Sequence, residues 1–193
     1  LRLETNTGIV GYGCAAPDKS VTGETAESVL KACENILEPY FRGLDPLKMA
    51  YHLSHVSTLL PKQPSALALI DIALYDILGK TAGLPLYKIL GGYRDSIKTS
   101  VTIGILSIKS TVEKAKAFKQ QKFKAIKIKG GQDVRMDIER IIKVREAIGK
   151  DIEIRFDANQ GYTVEESLRF INATKSAHLE LVEQPTPRGA PDL

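Results

Sequence analysis

From Ser96 onward this chain alternates between short β-rich runs and amphipathic stretches, and that alternation restricts its fold more than any other feature. Strands are expected at 99 to 105, 124 to 129, 152 to 157 and 179 to 183, with helices near 109 to 121, 133 to 148 and 163 to 175 between them. Such a βαβαβαβ series calls for a parallel sheet covered by its helices. A complete eightfold βα barrel takes about 250 residues. The 96 residues from 98 to 193 therefore have room for about half of one.

The residues before it read differently. Arg2-Leu3-Glu4-Thr5, the turn Asn6-Thr7-Gly8 and Ile9-Val10-Gly11-Tyr12-Gly13 predict a hairpin. Thr25 is placed to cap a helix whose Val29, Ala32, Cys33, Ile36, Leu37 and Tyr40 follow helical spacing, with Pro39 near its stop. Asp45-Pro46 supplies a cap and a first-turn proline for a second helix through about Leu60. A third, starting at Ser65 and ending near Gly83, is apolar on most sides and must be covered. The fold class expected is α/β: a partial (β/α) barrel of about the first four βα units over residues 98–193, preceded by an incomplete α+β domain with a linking helix over residues 1–97.

Composition excludes several classes. Apolar residues make up 43% and charged residues 26%, which are ordinary globular values. No apolar run reaches the roughly 18 residues that span a bilayer, and Leu1 to Thr7 does not have the layout of a secretory signal; a cytoplasmic protein without membrane partners is expected. Two cysteines, Cys14 and Cys33, argue against a disulfide scaffold or a zinc module. Residues 109 to 150 carry thirteen Lys and Arg against five Asp and Glu, a local excess of +8 in a chain of formal charge +4. Helical placement makes the lysines from Lys114 to Lys124 mainly a solvated face, with too few aromatics for nucleic-acid stacking. His52 and His55 have metal-compatible spacing but no third ligand, and Gly91-Gly92 and Gly130-Gly131 lack a phosphate-loop context and read as turns.

The chemistry lies at the strand ends. In Lys124-Ala125-Ile126-Lys127-Ile128-Lys129-Gly130, a period of two puts Ile126 and Ile128 on one face and Lys127 and Lys129 on the other. By itself that pattern describes a solvated edge strand. The next strand changes the reading, because Ile152, Ile154 and Phe156 form one face and leave Glu153, Arg155 and Asp157 on the other. The fourth strand ends in Glu183 before Pro185, so Lys129, Asp157 and Glu183 terminate successive strands. In a parallel sheet or barrel those ends converge on the face where catalytic groups gather. Burial and mutual repulsion are expected to depress at least one amine toward the range of a general base. Paired carboxylates there suit Mg²⁺ or a similar hard metal.

Lys127-Ile128-Lys129, Asp157-Ala158-Asn159-Gln160-Gly161 and Val182-Glu183-Gln184-Pro185 resemble the KxK, DANQG and VEQP strand ends of the enolase superfamily, in its muconate lactonizing enzyme subgroup. Residues Ala68 to Asp76, Gly79-Lys80, Gly83 to Tyr87 and Leu90-Gly91-Gly92 are similar to the helix linking that family's capping domain to its barrel. The resemblance implies proton abstraction α to a carboxylate, with the enediolate stabilised by one divalent metal, Mg²⁺, and a Lys or His base. It implies that Lys129 is the acid/base, that Lys127 tunes it and helps hold the substrate carboxylate, that Asp157 and Glu183 are metal ligands, and that Asn159 supports them; no organic cofactor is implied. Gly11-Tyr12-Gly13-Cys14-Ala15-Ala16-Pro17 and Val21-Thr22-Gly23-Glu24-Thr25 are similar to the GxGEAxP and TGET runs of the dipeptide epimerases, with Cys14 in place of Glu.

The family pattern also has a third metal carboxylate, a second base lysine and substrate-selecting groups in later barrel strands. On this reading the chain is an internal portion of a larger, homo-oligomeric enzyme acting on a small-molecule dipeptide or other carboxylate, with negligible turnover alone. Muconate cycloisomerase, o-succinylbenzoate synthase and N-acylamino acid racemase chemistry are alternatives within the superfamily. A non-catalytic basic binding fragment is the alternative from a different class.

Overall fold

A computed structural model describes residues 1–189, and within it the chain divides into two compact units, Leu1–Asp95 and Ser96–Leu193. Residues 190–193, at the end of the expected half barrel, lie outside the described residues.

The first unit opens with an antiparallel hairpin of β1 (Arg2–Glu4) and β2 (Val10–Tyr12), in the register Arg2 to Tyr12 and Glu4 to Val10. Helix α1 (Ala26–Ala32) starts at Thr25, whose hydroxyl accepts from the Ser28 N–H in a capping box. It continues through a π-helical turn at Cys33–Leu37 into α2 (Glu38–Phe41), so Pro39 stands at the start of a helical segment that ends two residues later. Helix α3 (Met49–Leu59) begins later than Asp45-Pro46 suggests. The Asp45 carboxylate accepts from the Leu47 N–H at 3.0 Å and closes a separate turn, so it does not cap the helix.

Helix α4 (Pro64–Ala82) has proline in its first turn and Gly83 in the left-handed conformation, φ 65°, at its C-terminus. The buried Glu24 carboxylate caps α4 from a distance, accepting from the N–H groups of Ser65 and Ala66 at 2.8 and 3.1 Å. A Cβ on Gly13 would stand 1.8 Å from the Leu69 carbonyl oxygen, and one on Gly11 2.3 Å from that of Ala73. Those two glycines let the second strand lie directly on the helix backbone. A four-residue helix, α5 (Leu86–Ile89), follows. Val29, Leu37, Phe41, Val56, Leu60, Leu69, Ile70 and Leu74 form this unit's core.

The second unit runs β3 (Ser100–Ile103), α6 (Ile108–Gln120), β4 (Ala125–Lys129), α7 (Val134–Ile148), β5 (Glu153–Asp157), α8 (Val164–Ala173), a 3₁₀ turn at Lys175–Ala177 and β6 (Leu181–Glu183). The strands lie in the order β3-β4-β5-β6, every pair parallel. The alternation in the sequence and the observed layering agree, and the array has the architecture of about half of a (β/α)₈ barrel. Ile126, Ile128, Ile154 and Phe156 are fully buried in one core with Ile141, Val144, Ile148 and Phe170 of the helices. Lys127, Lys129, Arg155 and Asp157 therefore project from the opposite face of the sheet. Among the described residues, no helix is long and apolar enough to cross a membrane.

Candidate active site

Parallel pairing sets Lys129 opposite Asp157, and Asp157 opposite Glu183, at the C-terminal ends of β4, β5 and β6. Asp157 Oδ2 receives Lys129 Nζ at 2.7 Å and Lys127 Nζ at 2.9 Å. Lys127 Nζ also donates to Glu183 Oε2 at 2.6 Å. The Asp157 and Glu183 oxygens thus share one nitrogen, and their separation is at most the sum of those two contact lengths. The Asp157 side chain is only 4% exposed, whereas that of Glu183 is 44% exposed. Asn159 meets the cluster through its backbone N–H, which donates to Asp157 Oδ1 at 2.9 Å.

The electrostatics follow from these contacts. Burial by itself would raise the Asp157 pKa, but hydrogen bonds from Lys129, Lys127 and the Asn159 N–H outweigh it and lower the value to about 2. Lys127 is not a depressed amine. Burial works against the charged form, yet hydrogen bonds to Glu183 and Asp157 prevail and raise its pKa above the ordinary lysine value. The carboxylates, and not the neighbouring lysine, dominate its surroundings.

The same face carries further ion pairs toward the other end of the strands. Arg155 donates from Nε and Nη2 to Glu180 at 2.6 and 3.2 Å, and Lys98 is paired with Glu153. Backbone conformation is also unusual where the strands end, since Asn159, Gln160 and Gln184 all have positive φ, at 49°, 62° and 35°. Non-glycine residues in that region are strained and gather at functional sites. The loops are tied by the Gln160 N–H to the Gln184 carbonyl at 2.8 Å and the Tyr162 N–H to the Pro185 carbonyl at 2.9 Å.

The sequence reading did not single out Asp137, Arg140 or Tyr162, which form a buried polar group behind these loops. A signal was present, because Asp137 occupies the buried stripe of α7 with Val134, Ile141, Val144 and Ile148, where an acid without a partner would be destabilising. His52 serves the first unit, with Nδ1 at 3.0 Å from the Tyr40 hydroxyl and Nε2 at 2.9 Å from the Asp45 carbonyl, while His55 stacks on Tyr40. Among the described residues, no group of three or more His, Cys, Asp or Glu is arranged to hold a metal ion. Among the described residues, Asp157 and Glu183 bring two carboxylate oxygens to one lysine nitrogen.

Two family descriptions match this chain. Residues 1–91 match the "Mandelate racemase / muconate lactonizing enzyme, N-terminal domain", and residues 110–193 match "Enolase C-terminal domain-like". The chain belongs to the enolase superfamily, with the domains of its mandelate racemase and muconate lactonizing enzyme group.

Among individual proteins, the L-Lys-D/L-Arg epimerase of Desulforapulum autotrophicum is 43% identical over 183 residues, covering 95% of this chain and 51% of that protein. The L-Ala-D/L-Glu epimerase of Clostridium acetobutylicum is 37% identical over 187 residues, covering 96% and 52%. The crystal structure of the dipeptide epimerase from Enterococcus faecalis V583, complexed with Mg and the dipeptide L-Leu-L-Tyr, aligns with a TM-score of 0.91 at 38% identity over 97% of this chain and 52% of that one. The chain spans about half the length of the curated relatives it matches.

Proposed function

We propose that this chain forms part of a metal-dependent dipeptide epimerase, in which a proton is removed from and returned to the carbon α to a carboxylate. The single observation that carries the reading is the clamp at the strand ends, where Asp157 is held by both lysines and Glu183 is joined to it through Lys127. Family membership supports it, as do relatives named as epimerases of several dipeptides.

In this reading Lys129 Nζ serves one face of the α-carbon, accepting the proton from the epimer that presents it there, and inversion is completed by proton delivery to the opposite face from the second base that the family pattern has in later barrel strands. Lys127, whose surroundings favour the ammonium form, binds and orients the substrate carboxylate. The donor set fits Mg²⁺: two carboxylate oxygens lie close enough to share one cationic nitrogen, and Mg²⁺ is commonly held by one or two carboxylates while waters and substrate oxygens complete its shell. Asp157 and Glu183 would hold the ion, with the Asn159 N–H fixing the Asp157 carboxylate. When bound, Mg²⁺ supplies Lewis-acid stabilisation of the negative charge that develops on the substrate carboxylate. The same reading carries a cytoplasmic homo-oligomer acting on free small molecules and not on nucleic acid or membranes, and the two free cysteines suit a reducing compartment.

The decisive experiment is α-deuterium exchange across a panel of acidic, basic and hydrophobic dipeptides, using the longer enzyme of which this chain is proposed to form part. Exchange is expected for at least one class, and in Lys129→Ala it is expected to vanish for the epimer whose α-hydrogen faces Lys129. Calorimetric titration with Mg²⁺ is expected to lose its heat in Asp157→Asn and Glu183→Gln. Full exchange in Lys129→Ala would remove the proposed base. Metal binding independent of both carboxylates, with no exchange, would favour a non-catalytic basic binding protein.

A further inference from the structure

Behind the strand ends lies a buried acid that the proposed chemistry does not use. Asp137, in the first turn of α7, is 2% exposed. Its Oδ2 accepts from the Tyr162 hydroxyl at 2.6 Å and from the Gly131 N–H at 2.8 Å. Its Oδ1 is paired with the Arg140 guanidinium, which also donates to the Leu106 carbonyl at 2.9 Å. Burial, with Asp137 alongside, pushes the Tyr162 pKa upward, so the hydroxyl remains a donor.

What this carboxylate holds gives it significance. Gly131 is two residues from Lys129, and the intervening Gly130 N–H donates to the Asp157 carbonyl at 2.9 Å. The chains cross here without room for side chains. A Cβ on Gly131 would stand 1.8 Å from the Ala158 carbonyl oxygen, and one on Gly161 would stand 1.9 Å from that of Gly131. Tyr162 follows that crossing, and its own N–H is bound to the Pro185 carbonyl beyond β6. One buried carboxylate thus ties together the backbones that leave β4, β5 and β6.

We propose that Asp137 and Tyr162 are positioning residues for Lys129, fixing the Gly130–Gly131 backbone and thereby the point from which its ammonium reaches toward Asp157. The proposal rests on the reading of Lys129 as the proton-transfer group. Displacing such a group by about 1 Å can cost about a hundredfold in rate. Asp157 has independent support from Lys127 and the Asn159 N–H, so metal affinity is expected to survive loss of the pair.

The test uses the longer enzyme of which this chain is proposed to form part, with Tyr162→Phe and Asp137→Asn. Tyr162→Phe keeps the ring that stacks on Phe156 and removes only the hydroxyl. Expected are a fall in kcat of about tenfold or more with KM and Mg²⁺ affinity within about twofold. In the metal-free protein, amide hydrogen exchange read by NMR is expected to accelerate severalfold at Gly130 and Gly131 relative to Ile148, at the far end of α7. Ile148→Val, a general loss of core packing, is expected to leave kcat and that relative exchange unchanged. Wild-type kcat in both polar variants would overturn the proposal, as would a fall in kcat with Gly130, Gly131 and Ile148 exchanging in step. If the wild type turned over no dipeptide, the functional reading would fail separately, and the exchange measurement would still decide whether the pair pins this backbone.

Discussion

Replacing Asp157 by asparagine removes the charge on which the strand-end cluster is built while preserving its shape and one acceptor oxygen. The structure sets the size of the effect. An aspartate carboxyl held at about 2 against an ordinary value of 3.8 corresponds, at about 1.4 kcal/mol per pH unit, to about 2 kcal/mol of stability. Solvent screening does not erode that figure much, because the side chain is 4% exposed. A depressed carboxyl stabilises the fold fully above its unfolded pKa, and the contribution disappears as pH falls through the folded one. Wild type is therefore expected to exceed Asp157→Asn by about 2 kcal/mol near pH 7, and the two are expected to converge between about pH 4 and about pH 2. Urea unfolding in metal-free buffer across that range measures the difference. Parallel stability curves for the two proteins would refute the reasoning, because the lysines would then be contributing nothing through Asp157.

Two further consequences test the packing within each unit. At Glu24, burial alone would raise the pKa, but hydrogen bonds from Ser65 and Ala66 overcome it and lower the value. Glu24→Gln is therefore expected to lose about 1 to 2 kcal/mol at neutral pH, read as a drop of a few degrees in Tm. That penalty should shrink as pH falls below the ordinary glutamate value, and an unchanged Tm at neutral pH would remove the remote cap from α4. Gly161→Ala sets a Cβ against the Gly131 carbonyl oxygen at 1.9 Å, with backbone on both sides and no flexible side chain to move. A loss of about 3 kcal/mol or more is expected in urea unfolding, and tolerance of the methyl group would refute a close backbone crossing at Gly131 and Gly161.

Much of the site was legible because strand geometry converts spacing into direction. Once Ile126, Ile128, Ile154 and Phe156 were assigned to a core, Lys127, Lys129, Arg155 and Asp157 had to share the other face. Helix ends were less legible. Asp45-Pro46 has the residues of a cap, but its carboxylate serves a local turn and α3 starts at Met49. The π-helical turn at Cys33–Leu37 has no signature in apolar spacing, since its ladder differs from that of an α-helix by a single residue. Asp137 was visible as an acid in an apolar stripe, but its partners Gly131 and Tyr162 lie 6 residues before it and 25 residues after it.

The order of strands and helices, the division of each strand into an apolar and an ionic face, and the acids and lysines at successive strand ends were determined by the sequence itself, because they depend on local periodicity and on a parallel connection rule that few sequences escape. Tertiary structure decided which charges touch. It joined Lys127 to two carboxylates, whose hydrogen bonds raise its pKa where burial alone would lower it. It also brought Gly131 under Asp137 and Tyr162, and linked Glu24 to the start of α4. Electrostatic and hydrogen-bond energies depend on separations of a few ångströms between residues far apart in the chain, and only the folded backbone sets those separations.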